Sequence, residues 1–493
     1  MQVETGGQTL PPGVQVVWDL AKAHRRATAT HEEICINGLW RWQPADANGD
    51  SVPEGRWGYF KVPGGWPGIT DYMQKDCQTV YPHPDWANVR LGGLTAAWYQ
   101  REITIPADWT ERRIAVYAEY VNSYAAVYLD GKAAGEIRYP AGLVDITSVC
   151  RPGQRHVLSI LVEAMPLQAV MLSYSDTNAA RQVKGSVARR GLCGDVYLIG
   201  AGRGARLADV KVDTSVRQWE ITFEAGLTDV AADAQYALHA RVSENGRPVR
   251  EFTSRPFRGS EVRDGRARFT ENWRPEKLWD THTPENQYDL SVSLLDADGE
   301  VLDEALPVRF GFRELWIDGR EFYLNGTRIF LCAVPFDNAQ VGAAWASYDG
   351  AQESIRRLQS FGINTVYTHN YGCEPGSHLS FAEILRAADD TGMLVSLSQP
   401  HFSHYHWDAP DANRTNGYAQ HAEFYVRVAQ NHPSVVMYSM SHNATGYSDD
   451  MNPDRIDGVY ETRNEWSRRN ARRALAAEQI VRRLDGSRIV YHH

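Results

Sequence analysis

The hydrophobic pattern of this chain changes once, near Gly311, and that change constrains its fold more than any other feature. Before it, short alternating apolar runs follow one another with turn residues between them and no helical period, as antiparallel strands do. After it, apolar β-rich runs alternate with stretches of helical length, the pattern of βα units on a parallel sheet. At 493 residues the chain exceeds what one core can organise and suits roughly three domains of ~150 residues each.

In the first segment the strands are expected at residues 103–105, closed by Pro106, and at 113–120, 125–129 and 156–162, with Asp130-Gly131 as a hairpin turn. Together they predict a β-sandwich. Residues 201–310 keep the strand pattern at 219–223, 236–242 and 288–294, and a length of about 110 residues suits an immunoglobulin-like sandwich. Beyond Gly311 a hairpin turns at Asn325-Gly326. Parallel strands are then expected at 329–334, 365–368, 394–397, 435–440 and 488–491, with helices at 349–360, 379–391, 417–431 and 465–484. Five such strands in about 180 residues fall short of the eight strands and ~250 residues of a closed barrel. The expectation is that a further C-terminal segment or a second chain completes it, since open strand edges expose backbone and apolar surface.

Composition narrows the partners. A net charge of −10 and a pI near 5.9 argue against nucleic acid, which needs a basic face. No apolar run approaches the ~20 residues of a membrane span. The N-terminus has no signal-peptide pattern, which leaves a cytoplasmic protein and a secreted one with its signal removed equally open. Cys35, Cys77, Cys150, Cys193, Cys332 and Cys373 form no Cys-x-x-Cys pair, so they predict buried thiols, and no cofactor is expected. Aromatic content of 11% offers rings for stacking on sugars, although most are assigned to the sandwich cores.

The run 435–440 is apolar and β-rich, and polar residues just past such a strand point into the mouth of an α/β barrel. Asn-His-Pro-Ser-Val-Val-Met-Tyr-Ser at 431–439 resembles the strand-four motif of the family 2 glycoside hydrolases, the β-galactosidase, β-glucuronidase and β-mannosidase relatives. Earlier stretches resemble the same family in order: Asn37-Gly38-Leu39-Trp40-Arg41-Trp42, Lys61-Val62-Pro63-Gly64-Gly65-Trp66, Trp98-Tyr99-Gln100-Arg101, residues 121–131 and residues 191–198. Pro275-Glu276-Lys277-Leu278-Trp279 and Pro284-Glu285-Asn286-Gln287-Tyr288 resemble a run of its second sandwich. The resemblance implies a multidomain β and α/β fold: a jelly-roll sugar-binding-like domain at 1–200, an immunoglobulin-like sandwich at 201–311, and the first five βα units of a (β/α)8 TIM barrel at 312–493. It also implies hydrolysis of a β-glycosidic bond, with carbohydrate as partner.

The chain departs from that family where chemistry occurs. A retaining glycosidase needs a nucleophilic carboxylate and a proton-donating carboxyl ~5 to 5.5 Å apart. In the family the fourth strand ends Asn-Glu, with Glu as acid/base; here the matching pair is His442-Asn443. An amide cannot act as a general acid. Three alternatives stay open: a carbohydrate-binding relative without turnover, His442 as proton donor, or a carboxylate from a neighbouring loop, with Glu374, Asp408, Asp449 and Asp450 as candidates. Seven of the 16 histidines follow expected strand ends: His369, His401, His404, His406, His442, His492 and His493. With Tyr367 and Asn370 they suggest recognition of a polar substrate; no helix carries two of them on one face, so a metal is not expected. Tyr367 also stands where the family has an Arg, and Cys332-Ala333-Val334-Pro335 where it has Arg-Gly-Val-Asn-His. Arg181, Lys184, Arg189 and Arg190 put a cationic loop in a largely acidic protein, which would suit an acidic sugar over the same mouth.

Overall fold

The computed structural model describes residues 10–45, 51–66, 80–164, 190–336, 347–368, 381–400, 402, 405–440 and 465–492. The chain is mostly β and multidomain, and it ends in a parallel sheet flanked by helices.

The N-terminal part builds a five-stranded and a seven-stranded antiparallel sheet around one core. Alternation along each strand turns one set of side chains inward. The core is filled by indoles: Trp42 lies 5.2 Å from Phe60, 5.8 Å from Trp66 and 5.2 Å from Trp86 between ring centroids. These rings are therefore core residues, unavailable to a sugar. Asp130 and Gly131 have φ of 49° and 77°, as the tight two-residue turn between Tyr124–Leu129 and Lys132–Arg138 requires. Arg101, from the Trp-Tyr-x-Arg stretch, places its guanidinium 5.5 Å from the Trp40 ring centroid and donates to the Leu39 carbonyl at 3.2 Å.

The middle part pairs a three-stranded with a six-stranded antiparallel sheet around Phe223, Leu238, Val242, Tyr288 and Leu290. At Gly311, where the sequence pattern changes, an added Cβ would stand 2.5 Å from the Trp279 Cβ and 2.8 Å from the Pro433 Cβ. The backbone there is pressed between the middle part and the turn before a parallel strand, and only glycine fits.

The C-terminal part has five parallel strands side by side in chain order: Ala333–Pro335, Thr365–Tyr367, Leu394–Ser398, Val435–Ser439 and Ile489–Tyr491. The helices Tyr348–Ser360, Phe381–Thr391, Tyr418–Ala429 and Glu465–Leu484 fall where the periodicity predicts them. A short helix, Ala412–Thr415, is an addition. The first strand differs from expectation. Ile329 belongs to a hairpin, pairing with Phe322, because Asn325 and Gly326 turn the chain back with φ of 52° and 91°. The Asn364 amide then takes the next backbone groups, donating to the Phe330 carbonyl at 2.7 Å and accepting from the Cys332 N–H at 2.9 Å. The parallel strand begins only at Ala333.

A knot of buried charge joins the middle part to the parallel sheet. The fully buried Asp485 carboxylate meets Arg488 at 2.5 Å and Lys211 at 3.3 Å, and it accepts from the Tyr438 hydroxyl at 2.8 Å. Arg488 donates to the carbonyls of Val435 at 2.9 Å and Gln430 at 2.7 Å, and Arg313 donates to those of Pro433 at 2.9 Å and Val435 at 2.6 Å. Burial alone would raise the Asp485 carboxyl, but Arg488 and Lys211 hold it well below the usual carboxylate range. Burial, with the like charge of Arg488, pushes Arg313 down to about 10. Among the described residues no helix is long and apolar enough to cross a membrane.

Removing one member of such a group strands the others. Asp485→Asn is expected to lower unfolding free energy by about 3–5 kcal/mol, read as a lower urea midpoint with an unchanged slope.

Candidate functional site

The ends of the parallel strands carry short polar residues that bond across the sheet. Thr368, Ser398, Gln399 and Ser439 are all buried. The Ser398 N–H donates to Thr368 Oγ1 at 2.9 Å and the Ser398 hydroxyl to the Thr368 carbonyl. Gln399 N–H donates to the Ser439 carbonyl at 2.8 Å, and Met440 N–H to that of Tyr491 at 2.9 Å. Four strand ends are thereby stitched edge to edge. This polar layer can orient hydroxyls, but it holds no group acidic enough to give a proton.

Most of the predicted site residues lie outside the described residues: His442, Asn443 and Glu374, and His369, Asn370, His401, His404, His493, Arg181, Lys184 and Arg189. Tyr367 is half-buried at the end of the second strand, where its carbonyl accepts from Phe336 N–H at 2.9 Å. His406 is exposed, and its carbonyl accepts from the Asn416 side chain at 3.0 Å. His492 turns back onto the helix Glu465–Leu484, 2.9 Å from Glu478. Asp408, offered as a replacement carboxylate, is exposed and pairs with Arg473 at 3.2 Å. Asp449 and Asp450 are outside the described residues.

Arg190 requires a correction. The sequence groups it with a cationic surface loop, yet it is buried and donates to the carbonyls of Gly92, at 3.2 Å, and Leu94. Burial lowers the pKa of its guanidinium.

The stretch 431–434 acts at the opposite end of the fourth strand. Asn431 accepts from Val212 N–H at 3.0 Å and donates to the Val210 carbonyl at 2.8 Å. His432 lies 2.6 Å from Asp389, which also accepts from the Ser434 hydroxyl at 2.6 Å. The motif that carries the resemblance therefore seats the strand, while chemistry would belong to the residues beyond its far end. No group of His, Cys, Asp or Glu among the described residues could hold a metal.

A cavity of about 1270 Å³ opens between the N-terminal sheets, the middle part and the helices Phe381–Thr391 and Tyr418–Ala429, reaching Asn431 and His432 at the base of the fourth strand. Its acidic wall is formed by Glu33, Glu119 and Asp195. Burial pushes Glu119 up to about 8, reinforced by Asp195 and then Glu33. Burial would raise Glu33 as well, but His31 and Arg26 bring it below the ordinary value.

His421, Tyr405 and Thr368 escape sequence reasoning. The signal for His421 is a polar residue inside an apolar stripe, with Tyr418, Ala422 and Tyr425 on one helix face.

No protein-family profile matches the chain. It is 25% identical over 177 residues to a β-glucuronidase of Paenibacillus borealis, a match covering 34% of this chain and 28% of that protein. A glycosyl hydrolase family 2 member from Bacteroides cellulosilyticus superposes with a TM-score of 0.63 at 18% identity, over 93% of this chain and 57% of that one. A Ruminococcus gnavus β-glucuronidase in complex with D-glucuronic acid gives 0.64 at 16%, over 95% and 73%. A Bacteroides uniformis β-glucuronidase gives 0.62 at 18%, over 94% and 52%, so the chain spans about half the length of that structure. The resemblance to family 2 glycoside hydrolases read from the motifs is thus borne out at the level of the fold.

The raised Glu119 carboxyl sets a pH dependence. Between the ordinary carboxyl pKa and about 8 the folded state holds a proton that the unfolded state has lost, so stability falls as pH rises through that window. Glu119→Gln is expected to flatten the fall, measured as the difference in Tm between pH 5 and pH 8.

Proposed function

We propose that this chain is a divergent member of glycoside hydrolase family 2 that acts on a β-linked glycan, with a β-D-glucuronide as the first substrate to test. Its parts correspond to a jelly-roll domain at 1–200, an immunoglobulin-like sandwich at 201–311 and the first five βα units of a TIM barrel at 312–493. The observation that carries this reading is the fourth parallel strand. It is seated by Asn431, His432 and Ser434 and buried along Val435–Ser439, and it leads to His442-Asn443 at the end where an α/β barrel places its chemistry. The D-glucuronic acid bound by the similar Ruminococcus gnavus enzyme supports the choice of sugar.

In this reading His442 gives a proton to the leaving oxygen while a carboxylate nucleophile from a seventh strand, as in the family, attacks the anomeric carbon, and water then releases the sugar from the glycosyl-enzyme. Asn443 holds a sugar hydroxyl, and Tyr367, His369, Asn370, His401, His404, His406 and His493 contribute recognition, with Arg181 and Lys184 for the uronate. The family's nucleophile follows a seventh strand, and residues 312–493 contain five parallel strands among those described.

Binding without turnover is the second reading. It is favoured by Asn443 at the acid/base position and by Asp408 being tied to Arg473.

In a form of the protein that includes a seventh strand, release of sugar from an alkyl β-D-glucuronide, whose alkoxide leaving group needs protonation, separates the two. Under the first reading His442→Ala lowers turnover by about 10²- to 10³-fold. D-glucuronic acid binding in calorimetry with no release from glucuronide, galactoside or mannoside would establish the second instead.

A further inference from the structure

His421 is fully buried on the helix Tyr418–Ala429, and its two ring nitrogens are bonded to tyrosines from distant parts of the chain. Nε2 lies 2.7 Å from the Tyr139 hydroxyl, and Nδ1 is bonded to that of Tyr405. Tyr139 belongs to the N-terminal sheets, between Lys132–Arg138 and Gly142–Asp145. Tyr405 lies between the third parallel strand and the helix Ala412–Thr415.

Aromatic packing holds the same group together. Tyr139 meets the His421 ring nearly perpendicularly at 4.8 Å, Tyr405 meets Tyr418 at 4.9 Å, and Trp407 meets Tyr418 at 5.4 Å. An apolar residue would fill the volume of His421 without asking for partners. A buried imidazole instead demands them, because a buried donor or acceptor left without a partner keeps its full desolvation cost. In its neutral form the ring has one donor and one acceptor, so one tyrosine donates to it and the other accepts from it. The relay therefore specifies an orientation for both hydroxyls.

The segment that begins at Tyr405 has local bonds as well. Tyr405 N–H donates to the Phe402 carbonyl at 3.1 Å, Trp407 Nε1 donates to the same carbonyl at 2.8 Å, and Asn416 holds the His406 carbonyl at 3.0 Å. Those bonds shape the segment, the Asp408–Arg473 pair holds its exposed end to the helix Glu465–Leu484, and the His421 bond ties it to the helix Tyr418–Ala429 and, through Tyr139, to the N-terminal sheets.

We propose that His421 is a positioning residue for the strand-end site: through Tyr405 it fixes the segment bearing His406 against the N-terminal sheets. The role assigned to that segment rests on the glycan-binding reading above; the mechanical coupling does not.

Hydrogen exchange followed by mass spectrometry tests the coupling in His421→Phe, Tyr405→Phe and His421→Gln. The hydrogen-bonded amides of Tyr405, Ala412, Arg414 and Thr415 are expected to exchange about tenfold faster in the two phenylalanine variants, the size of one lost hydrogen bond, with helix 418–429 still protected. His421→Gln should recover part of the protection, because an amide can both donate and accept; a role in packing alone would favour phenylalanine. D-glucuronic acid should bind about three- to tenfold more weakly to the phenylalanine variants. If His421→Phe loosens the helix itself, the Tyr405→Phe result decides. Unchanged exchange at Tyr405, Ala412, Arg414 and Thr415 in a folded phenylalanine variant overturns the proposal. A wild-type protein that binds no D-glucuronic acid overturns the glycan reading and leaves the exchange result standing.

Discussion

Asp485 is the residue on which the middle part and the parallel sheet converge. Its carboxylate neutralises Arg488, draws in Lys211 from the middle part and accepts the Tyr438 hydroxyl from the fourth parallel strand. The two arginines beside it direct their donors to main-chain carbonyls around residues 429–435, the turn that launches that strand. Charge buried this deeply is costly unless every partner is present. The knot consequently specifies where the middle part sits, because Lys211 has to reach Asp485 at the same time as Asp213, 3.0 Å away.

A second set of contacts joins the N-terminal sheets to the helices of the parallel sheet, and it works through rings. Tyr120 meets Phe424 edge to face at 4.9 Å, and Trp98, Tyr124 and Tyr139 belong to the same buried cluster as Phe402, Tyr405 and Tyr418. Apolar contact is tolerant of small shifts, whereas the His421 relay within it is directional. At the base of the fourth strand the parts are joined by ionic contacts and by the hydrogen bonds of Asn431, and along its flanking helix largely by aromatic ones.

Much of this is legible in the sequence, and the exceptions share a cause. Strands and helices of the last segment declare themselves by period, because a parallel strand covered on both faces is apolar throughout and its helices are not. The first parallel strand is misplaced by its sequence because an apolar run does not reveal that Asn364, some thirty residues on, occupies its backbone groups. Arg190 reads as surface charge for the same reason: its carbonyl partners at Gly92 and Leu94 are remote in sequence. For the site, the strand ends can be found by counting βα units. The stitching of Thr368 to Ser398 cannot, since short hydroxyl residues look alike in a turn and in a buried layer.

That stitching has a consequence for how such a protein can change. The main-chain bonds of the polar layer and the anchoring of Asn431, His432 and Ser434 are made between the strands and at the base of the sheet. Under the proposed reading, exchange of the family's carboxylate for His442-Asn443 removes none of these bonds. A scaffold whose supports are separate from its reactive positions is free to lose or exchange an activity while remaining foldable, which is how a lineage can explore new chemistry on an old frame.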